Sequence, residues 1–235
     1  DKFLPKKAGI SLPMYVSYDQ TIIAPKYDPL NPDVITTESV KQQENSEEYK
    51  KLVQDITTTK SINFSNVKKK RGTSKMFTPL DASNFVFNYS YSESNQSNIN
   101  TAFNDFKTRT GGLTYSYANK LKPIEPFGKT KILQSKYLAL IKNINLQPLP
   151  SNISFAADAN RTYRETQYRT INYLGQLTTD GFAPLYQKNI SFKRQYGMKW
   201  SITKSISVDY TANVMAKVDE TQGRIDKDDA DYKEK

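Results

Sequence analysis

The longest alternating stretch of the chain, residues 198–219, predicts two antiparallel strands joined by a tight turn. From Ile206 to Val218 the even positions are all apolar or amphipathic, whereas the odd positions are nearly all polar. One face of the second strand could therefore meet hydrocarbon while the other meets water. The interruption at residues 203–205 is the predicted turn. A bilayer needs about 9 to 11 residues per tilted strand, and residues 206–218 are long enough.

A second amphipathic strand is predicted at residues 84–92, where four aromatic side chains share one face. Further strands are predicted at residues 9–19, 61–67, 111–117, 151–158, 162–174 and 189–196, which makes roughly eight to ten in all. Pro13 has no N–H to donate to a ladder, so it predicts a sheet edge or a bulge. Residues 94–100 and 175–184 are predicted to be loops.

Two stretches break the strand pattern and predict helical insertions, at about residues 36–57 and 120–147. In the first, Asn45 or Ser46 could cap a short amphipathic helix that begins before Glu47 and Glu48. In the second, apolar residues recur at helical spacing, namely Leu133, Tyr137, Leu140, Ile141 and Ile144. This helix would lie either inside a barrel lumen or on the surface.

The composition favours thinly spread, aromatic-rich apolar surface over an ordinary core. Hydrophobic residues make up 37% of the 235 residues and mean hydropathy is −0.71, yet there are 16 Tyr and 11 Phe. Strands with one face to lipid and one to water give this mixture. An antiparallel sandwich in water gives it too.

The absence of His and Cys removes most catalytic and metal chemistry. No spaced pair of carboxylates stands out, so we expect no enzyme, no cofactor and no metal. The net charge of +10 and the run from Lys68 to Arg71 raise the question of nucleic acid. No nucleic-acid motif accompanies the run, which is better explained as a solvated strand end or a contact to lipid headgroups. The chain opens on polar residues without a signal peptide, and we expect it to be part of a longer protein.

Several motifs are specific enough to indicate a family. In chain order they are LPKKAGISLPMYVSY, PKYDPLNPDV, NFVFNYSYSES, GGLTYSY, LQPLPSNISFAADANRTYRE and FKRQYGMKWSITKSISVDYTANVMAKVDETQGRID. They resemble the SprA (Sov) family of cell-surface gliding-motility proteins, which form the outer-membrane translocon of the type IX secretion system. The resemblance covers nearly the whole chain.

The resemblance implies an all-β fold, an antiparallel transmembrane β-barrel in the outer membrane of a Gram-negative bacterium. Residues 1–235 would be part of one very large single-chain barrel of about 36 strands. The implied function is a protein-conducting channel that passes folded cargo proteins to the cell surface without catalysis. Implied partners are outer-membrane lipid, a PorV-type partner barrel, a plug protein, a periplasmic prolyl isomerase, secreted cargo and the remainder of the barrel, but no nucleic acid.

Polarity alone assigns the two faces of the clearest strands. The residues predicted to face the lumen are Asn88, Ser90, Ser92, Ser207, Asp209, Thr211 and Asn213. The residues predicted to face lipid or a partner are Phe85, Phe87, Tyr89, Tyr91, Ile206, Val208, Tyr210 and Val214. Two alternatives stay open: a smaller self-contained outer-membrane barrel, porin-like or a receptor, and a soluble β-rich cell-surface binding domain.

Overall fold

The computed structural model describes residues 9–70, 79–119, 122–127, 145–171, 176–203, 205–220 and 223. The helical pattern predicted between Leu133 and Ile144 lies outside these residues. The elements are β1 (Ile10–Ser11), β2 (Met14–Ile23), β3 (Tyr27–Asp28), β4 (Asn31–Ile35), α1 (Thr36–Gln42), α2 (Ser46–Val53), β5 (Asp55–Lys69), β6 (Phe85–Ser97), β7 (Thr101–Ala118), β8 (Asn152–Tyr168), β9 (Thr170–Ile171), β10 (Leu177–Thr178), β11 (Leu185–Ser201) and β12 (Ser207–Asp219).

The predicted all-β antiparallel fold is confirmed. Eight strands form one sheet in the order β1-β5-β6-β7-β8-β11-β12, with β2 also paired to β5. Every pairing in it is antiparallel. Since β1 and β2 lie end to end along β5, the described sheet is open and seven strands wide, and its outermost strands β2 and β12 run parallel to each other.

One connection at each end of the sheet serves to name that end. A tight turn joins β11 to β12, and in it the Ile206 amide donates to Thr203 Oγ1 at 3.0 Å. This confirms the predicted turn, and we call this end of the sheet the turn end. At the opposite end, residues 24–54 leave the sheet between β2 and β5. We call it the insertion end.

The strands are longer than the alternation predicted, chiefly toward the insertion end. The loop predicted at residues 94–100 is wrong for its first part, because β6 continues to Ser97 and Gln96 pairs with Asn104 of β7. Only residues 98–100 turn, and the guanidinium of Arg169 donates to the carbonyls of Asn98 and Thr101 there. Backbone pairing continues where both faces have become polar, and alternation cannot detect such a segment.

Pro13 lies at a break in the edge strand, as predicted. The first strand is divided into β1 and β2, and the facing strand β5 has an irregularity between Phe64 and Val67. Asn66 adopts a left-handed φ of 56° within it, a conformation that Asn tolerates better than most residues. The carbonyl of Pro13 accepts a bond from the Ser65 amide at 3.3 Å. Pro13 therefore occupies an edge position that requires no N–H donor.

The first insertion holds more structure than its pattern predicted. The predicted helix is α2, with Asn45 at its N-cap position but without a side-chain capping bond. A second helix, α1, and the β3–β4 hairpin precede it. The insertion ends at residue 54, because Asp55 already pairs with Ile23.

The sheet carries almost no conventional core. Among the described residues the buried hydrophobic side chains are Val53 and Tyr117. No helix in the described part of the chain is long and apolar enough to cross a membrane. Both faces of the sheet are therefore largely open, and what covers each face depends on its chemistry.

Candidate functional site

The two faces of the sheet are the candidate functional site, and the strand register defines them. Residues directly opposite each other in an antiparallel pair point to the same side. Phe85 lies opposite Tyr115, which lies opposite Phe155, and the row continues through Tyr196 to Ala212. We call the side that bears this row the apolar face and the opposite side the polar face.

The rows on either side of it are also apolar, except for Arg194 in the Phe87 row. The Phe87 row also holds Val67, Leu113, Ala157 and Val214. The Tyr89 row holds Met14, Phe64, Gly111, Ala159, Phe192 and Ala216. The two rows toward the turn end hold Tyr117, Ile153, Met198 and Tyr210, and then Trp200 and Val208. Opposed aromatic rings pack across the strands, with centroids 5.0 Å apart for Phe85 and Tyr115 and 5.1 Å apart for Phe155 and Tyr196. Such cross-strand pairs stabilise the sheet itself.

The height of the apolar face matches a membrane. On β11 its rows run from Ile190 to Trp200, eleven residues separated by ten steps. At about 3.4 Å per residue the rows cover about 34 Å of strand. A tilt of about 40° reduces this to about 26 Å along the normal, close to the apolar band of about 25 Å in outer-membrane barrels.

Aromatic residues with polar tips lie at both borders of this band. At the turn end Trp200 donates from Nε1 to the carbonyl of Gln147 at 2.8 Å, and Tyr115 donates to the carbonyl of Pro79 at 2.7 Å. Toward the insertion end Tyr18, Tyr91 and Tyr163 lie on the same face. Girdles of this type flank the apolar band of transmembrane barrels.

Small hydroxyl and amide side chains dominate the polar face and bond to one another across the strands. Gln195 Nε2 donates to Asn213 Oδ1 at 3.1 Å, and Ser17 Oγ lies 2.8 Å from Ser61 Oγ. Thr162 donates to Asn189 in the same way at 2.9 Å. These ladders satisfy polar groups while leaving the face hydrated.

The register places the sequence-predicted site residues of β6 and β12 in two groups, one on each face of the sheet. Three strands separate β6 from β12. The predicted lumen residues Asn88, Ser90, Ser92, Ser207, Asp209, Thr211 and Asn213 all lie on the polar face. On the apolar face lie Phe85, Phe87, Tyr89, Tyr91, Val208, Tyr210 and Val214. Ile206 lies just outside β12, in the turn, and is 56% exposed. Their contact with lipid or with lumen water stays a prediction.

Asn88 has a structural role that its polarity did not indicate. Its Oδ1 accepts a hydrogen bond from the backbone amide of Asn66 at 2.8 Å. Asn66 is the left-handed residue in the irregular part of β5, where ladder pairing fails. The Asn88 side chain thus satisfies a donor that the neighbouring strand leaves free.

Cations on the apolar face were missed at the sequence level. Arg194 lies between Ala157 and Val214 in the middle of the band, and Arg109 and Arg161 lie opposite each other in the Tyr91 row. The signal was present in the sequence, because Arg194 shares its period with Phe192 and Tyr196.

A buried carboxylate organises the first insertion. Asp28 is 1% exposed and accepts hydrogen bonds from the hydroxyls of Ser39 and Tyr49 and from the Leu30 amide, the last two at 2.6 and 2.8 Å. Burial alone raises the pKa of Asp28, but these bonds and one from the Asn31 amide lower that pKa more, and its pKa lies below the ordinary value. The carboxylate therefore holds the β3–β4 hairpin against both helices.

Comparison with known proteins connects the first part of the chain to secretion. Residues 1–40 match the SprA_N family model, described as a motility related/secretion protein. The match covers β1 to β4 and the start of α1. No curated protein matches the chain.

Proposed function

We propose that this chain forms part of the wall of the protein-conducting outer-membrane channel of the type IX secretion system. In this proposal the apolar face meets lipid, the polar face lines a water-filled lumen, and folded cargo crosses to the cell surface without any bond chemistry. A polar lumen lets cargo pass without adhering, and an apolar exterior keeps the barrel inserted.

The observation that carries the proposal is the two-faced sheet itself. Phe87, Tyr210 and Val214 are 45%, 53% and 42% exposed, and they belong to a continuous apolar face whose height fits a bilayer. A contiguous exposed apolar surface of this extent needs a nonaqueous neighbour or a protein partner. A soluble binding domain would cover that face with a second sheet or with helices.

The strand directions favour a wall with more strands than those described. The outermost strands β2 and β12 run parallel, so joining them would break the antiparallel pattern, whereas bacterial single-chain barrels have an even number of antiparallel strands. The SprA_N match over residues 1–40 agrees with a secretion role. Together these points favour the large translocon over a self-contained small barrel.

The proposal also includes the partners that the family resemblance implies. These are outer-membrane lipid, the remainder of the barrel, cargo proteins, a PorV-type partner barrel, a plug protein and a periplasmic prolyl isomerase. We infer that the turn at residues 203–205 faces the periplasm, at the end of the sheet opposite the polar strand extensions. The polar strand extensions and the insertion at residues 24–54 then lie outside the cell.

Site-directed labelling of the intact protein in outer-membrane vesicles tests this arrangement. The chain has no Cys, so single cysteines can be introduced at adjacent positions of opposite face. We expect Phe87→Cys and Val214→Cys to react with a lipid-soluble maleimide, and Ser90→Cys and Asn213→Cys to react with a water-soluble one. Equal access of both reagents to both sets would refute the membrane wall.

The size of the particle tests the translocon separately. An electron-microscopy image of the intact detergent-purified protein should contain a ring far wider than that of an eight-stranded barrel, since barrel diameter grows roughly linearly with strand number. A narrow ring, combined with the expected labelling, would identify a small outer-membrane barrel instead.

A further inference from the structure

The apolar face has a cationic border toward the insertion end. The Tyr91 row contains Arg109 and Arg161, and the Glu93 row beyond it contains Lys60, Lys107 and Lys188. The carboxylates of these two rows are Glu93 and, next to Lys188, Glu220. We call the set of Lys60, Lys107, Arg109, Arg161 and Lys188 the basic border. It adjoins the hydrocarbon-like rows directly.

Arg161 and Lys107 of the basic border form ion pairs with carboxylates. Arg161 Nη2 lies 2.8 Å from Glu220 Oε2, and Lys107 Nζ lies 3.4 Å from Glu93 Oε1. The Arg109 guanidinium instead lies over the Tyr91 ring, 5.5 Å from its centroid, and Arg109 is exposed. The carboxylates of the next row outward, Asp105 and Glu165, accept hydrogen bonds from Asn95, Tyr163 and Tyr186. Among the described residues, the Tyr91 and Glu93 rows and the adjoining Glu220 hold five cations against two carboxylates.

Arg194 extends this charge into the apolar band. Its guanidinium lies over the ring of Phe192, 5.2 Å from the centroid, and Phe192 is the next residue on the same face toward the basic border. Its Nε is buried and has no hydrogen-bond acceptor among the described residues. A cation in such a setting needs an anion within reach.

Small residues leave room for a ligand beside Arg194. Ala157 is its direct neighbour on β8. In the next row Ala159 and Ala216 flank Phe192, and Gly111 lies beyond Ala159 on β7. A Cβ added to Gly111 would meet no atom within 4 Å. Acyl chains could lie on these small residues while a headgroup reached the arginines.

We propose that the basic border and Arg194 bind the phosphates of anionic membrane lipids, whose acyl chains lie on the apolar face. This inference rests on the proposed membrane location and adds a specific ligand class to it. Arg109 on β7 and Arg194 on β11 are separated by β8, so each supplies donors to a different lipid. A guanidinium presents several N–H groups to a phosphate. A zwitterionic lipid would carry a cation of its own against this surface and bind less well.

The test uses the intact protein in detergent, with phosphatidylglycerol or phosphatidylcholine of identical acyl chains added and bound lipid measured by native mass spectrometry. We expect preference for phosphatidylglycerol, reduced about fivefold by either Arg109→Gln or Arg194→Gln. Lys193→Gln is the matched control, since Lys193 is an exposed cation adjacent in sequence on the polar face, and it should leave the preference unchanged. Arg194→Lys should retain part of it and guards against misfolding.

Equal binding of both lipids by the wild-type protein would overturn the inference, as would an equal loss in Lys193→Gln and Arg194→Gln. Free inorganic phosphate should not displace the lipid at millimolar concentration, because the acyl chains contribute to binding; displacement would point to a simple anion site instead. Lipid-soluble labelling at Val214→Cys separates the two proposals. If that label reacts while lipid preference is absent, only the lipid inference fails, and if it does not react, the membrane wall fails first.

Discussion

At the scale of single residues, the informative positions are those whose chemistry departs from their surroundings. Arg194 is a cation in an apolar row, Asn88 completes the hydrogen bonding of an irregular strand, and Asp28 is a buried carboxylate. Each carries more structural consequence than the alternating residues around it, because a misplaced charge or an unpaired donor costs more than a lost methylene.

Asp28 makes the stability of the first insertion depend on pH. Since its pKa is lowered in the folded state, its contribution is complete at neutral pH and is lost as the pH falls below the ordinary value of 3.8 through the folded-state pKa. We expect faster hydrogen exchange of residues 27–53, corrected for intrinsic rates, at acid pH. Asp28→Asn should cause this loss already at neutral pH, by about 1–3 kcal/mol.

The control is Asp33→Asn, because Asp33 belongs to the same hairpin but is exposed. It should leave the exchange of residues 27–53 unchanged at every pH. If Asp28→Asn exchanged like the wild-type protein at neutral pH, the insertion would not depend on this carboxylate.

At the scale of elements, the alternation of side chains along each long strand separates the apolar face from the polar face. From polarity alone, an arginine at Val208 or Tyr210 is expected to impair insertion near the bilayer midplane. The register refines this, because Tyr210 and Val208 belong to rows at the turn end of the band, whereas Leu113 lies in a central row. The cost of a lipid-facing arginine should therefore depend on the row.

Leu113→Arg should impair insertion by about 2–4 kcal/mol, the cost of arginine at the midplane of a barrel's lipid face, and Tyr210→Arg should cost less. Thr114→Arg is the matched control on the polar face of the same strand. The measurement is the folded, heat-modifiable fraction in outer membranes. Similar losses for Leu113→Arg and Thr114→Arg would contradict a lipid face on this side of the sheet.

At the scale of the whole molecule, the edges of the sheet matter most. Strands β2 and β12 each have one partner among the described strands, β5 and β11. An exposed edge of this length would recruit other strands, so in a functional wall it must be paired. We expect both edges to pair with strands elsewhere in the intact protein.

Disulfide trapping distinguishes this from direct closure. Ser17→Cys with Ser61→Cys should cross-link readily in the intact protein, because these residues are register partners. Ser17→Cys combined in turn with Thr211→Cys, Asn213→Cys and Lys217→Cys should give no cross-link within one chain. Efficient bonding in any of these pairs would mean that β2 and β12 meet and that the barrel is small.

The sequence determined the all-β class, the turn at residues 203–205 and the edge position of Pro13. It also determined which side chains share a face within the strands that contain Phe87 and Val208. These features follow from local periodicity and backbone chemistry, which the chain carries residue by residue. Tertiary structure decided where the strands end, since polar pairing beyond the apolar band leaves no alternation. It alone aligned β6 with β12, set the band height and brought Arg109, Arg161 and Arg194 onto one face. Register joins residues distant in sequence, and no local pattern encodes that pairing.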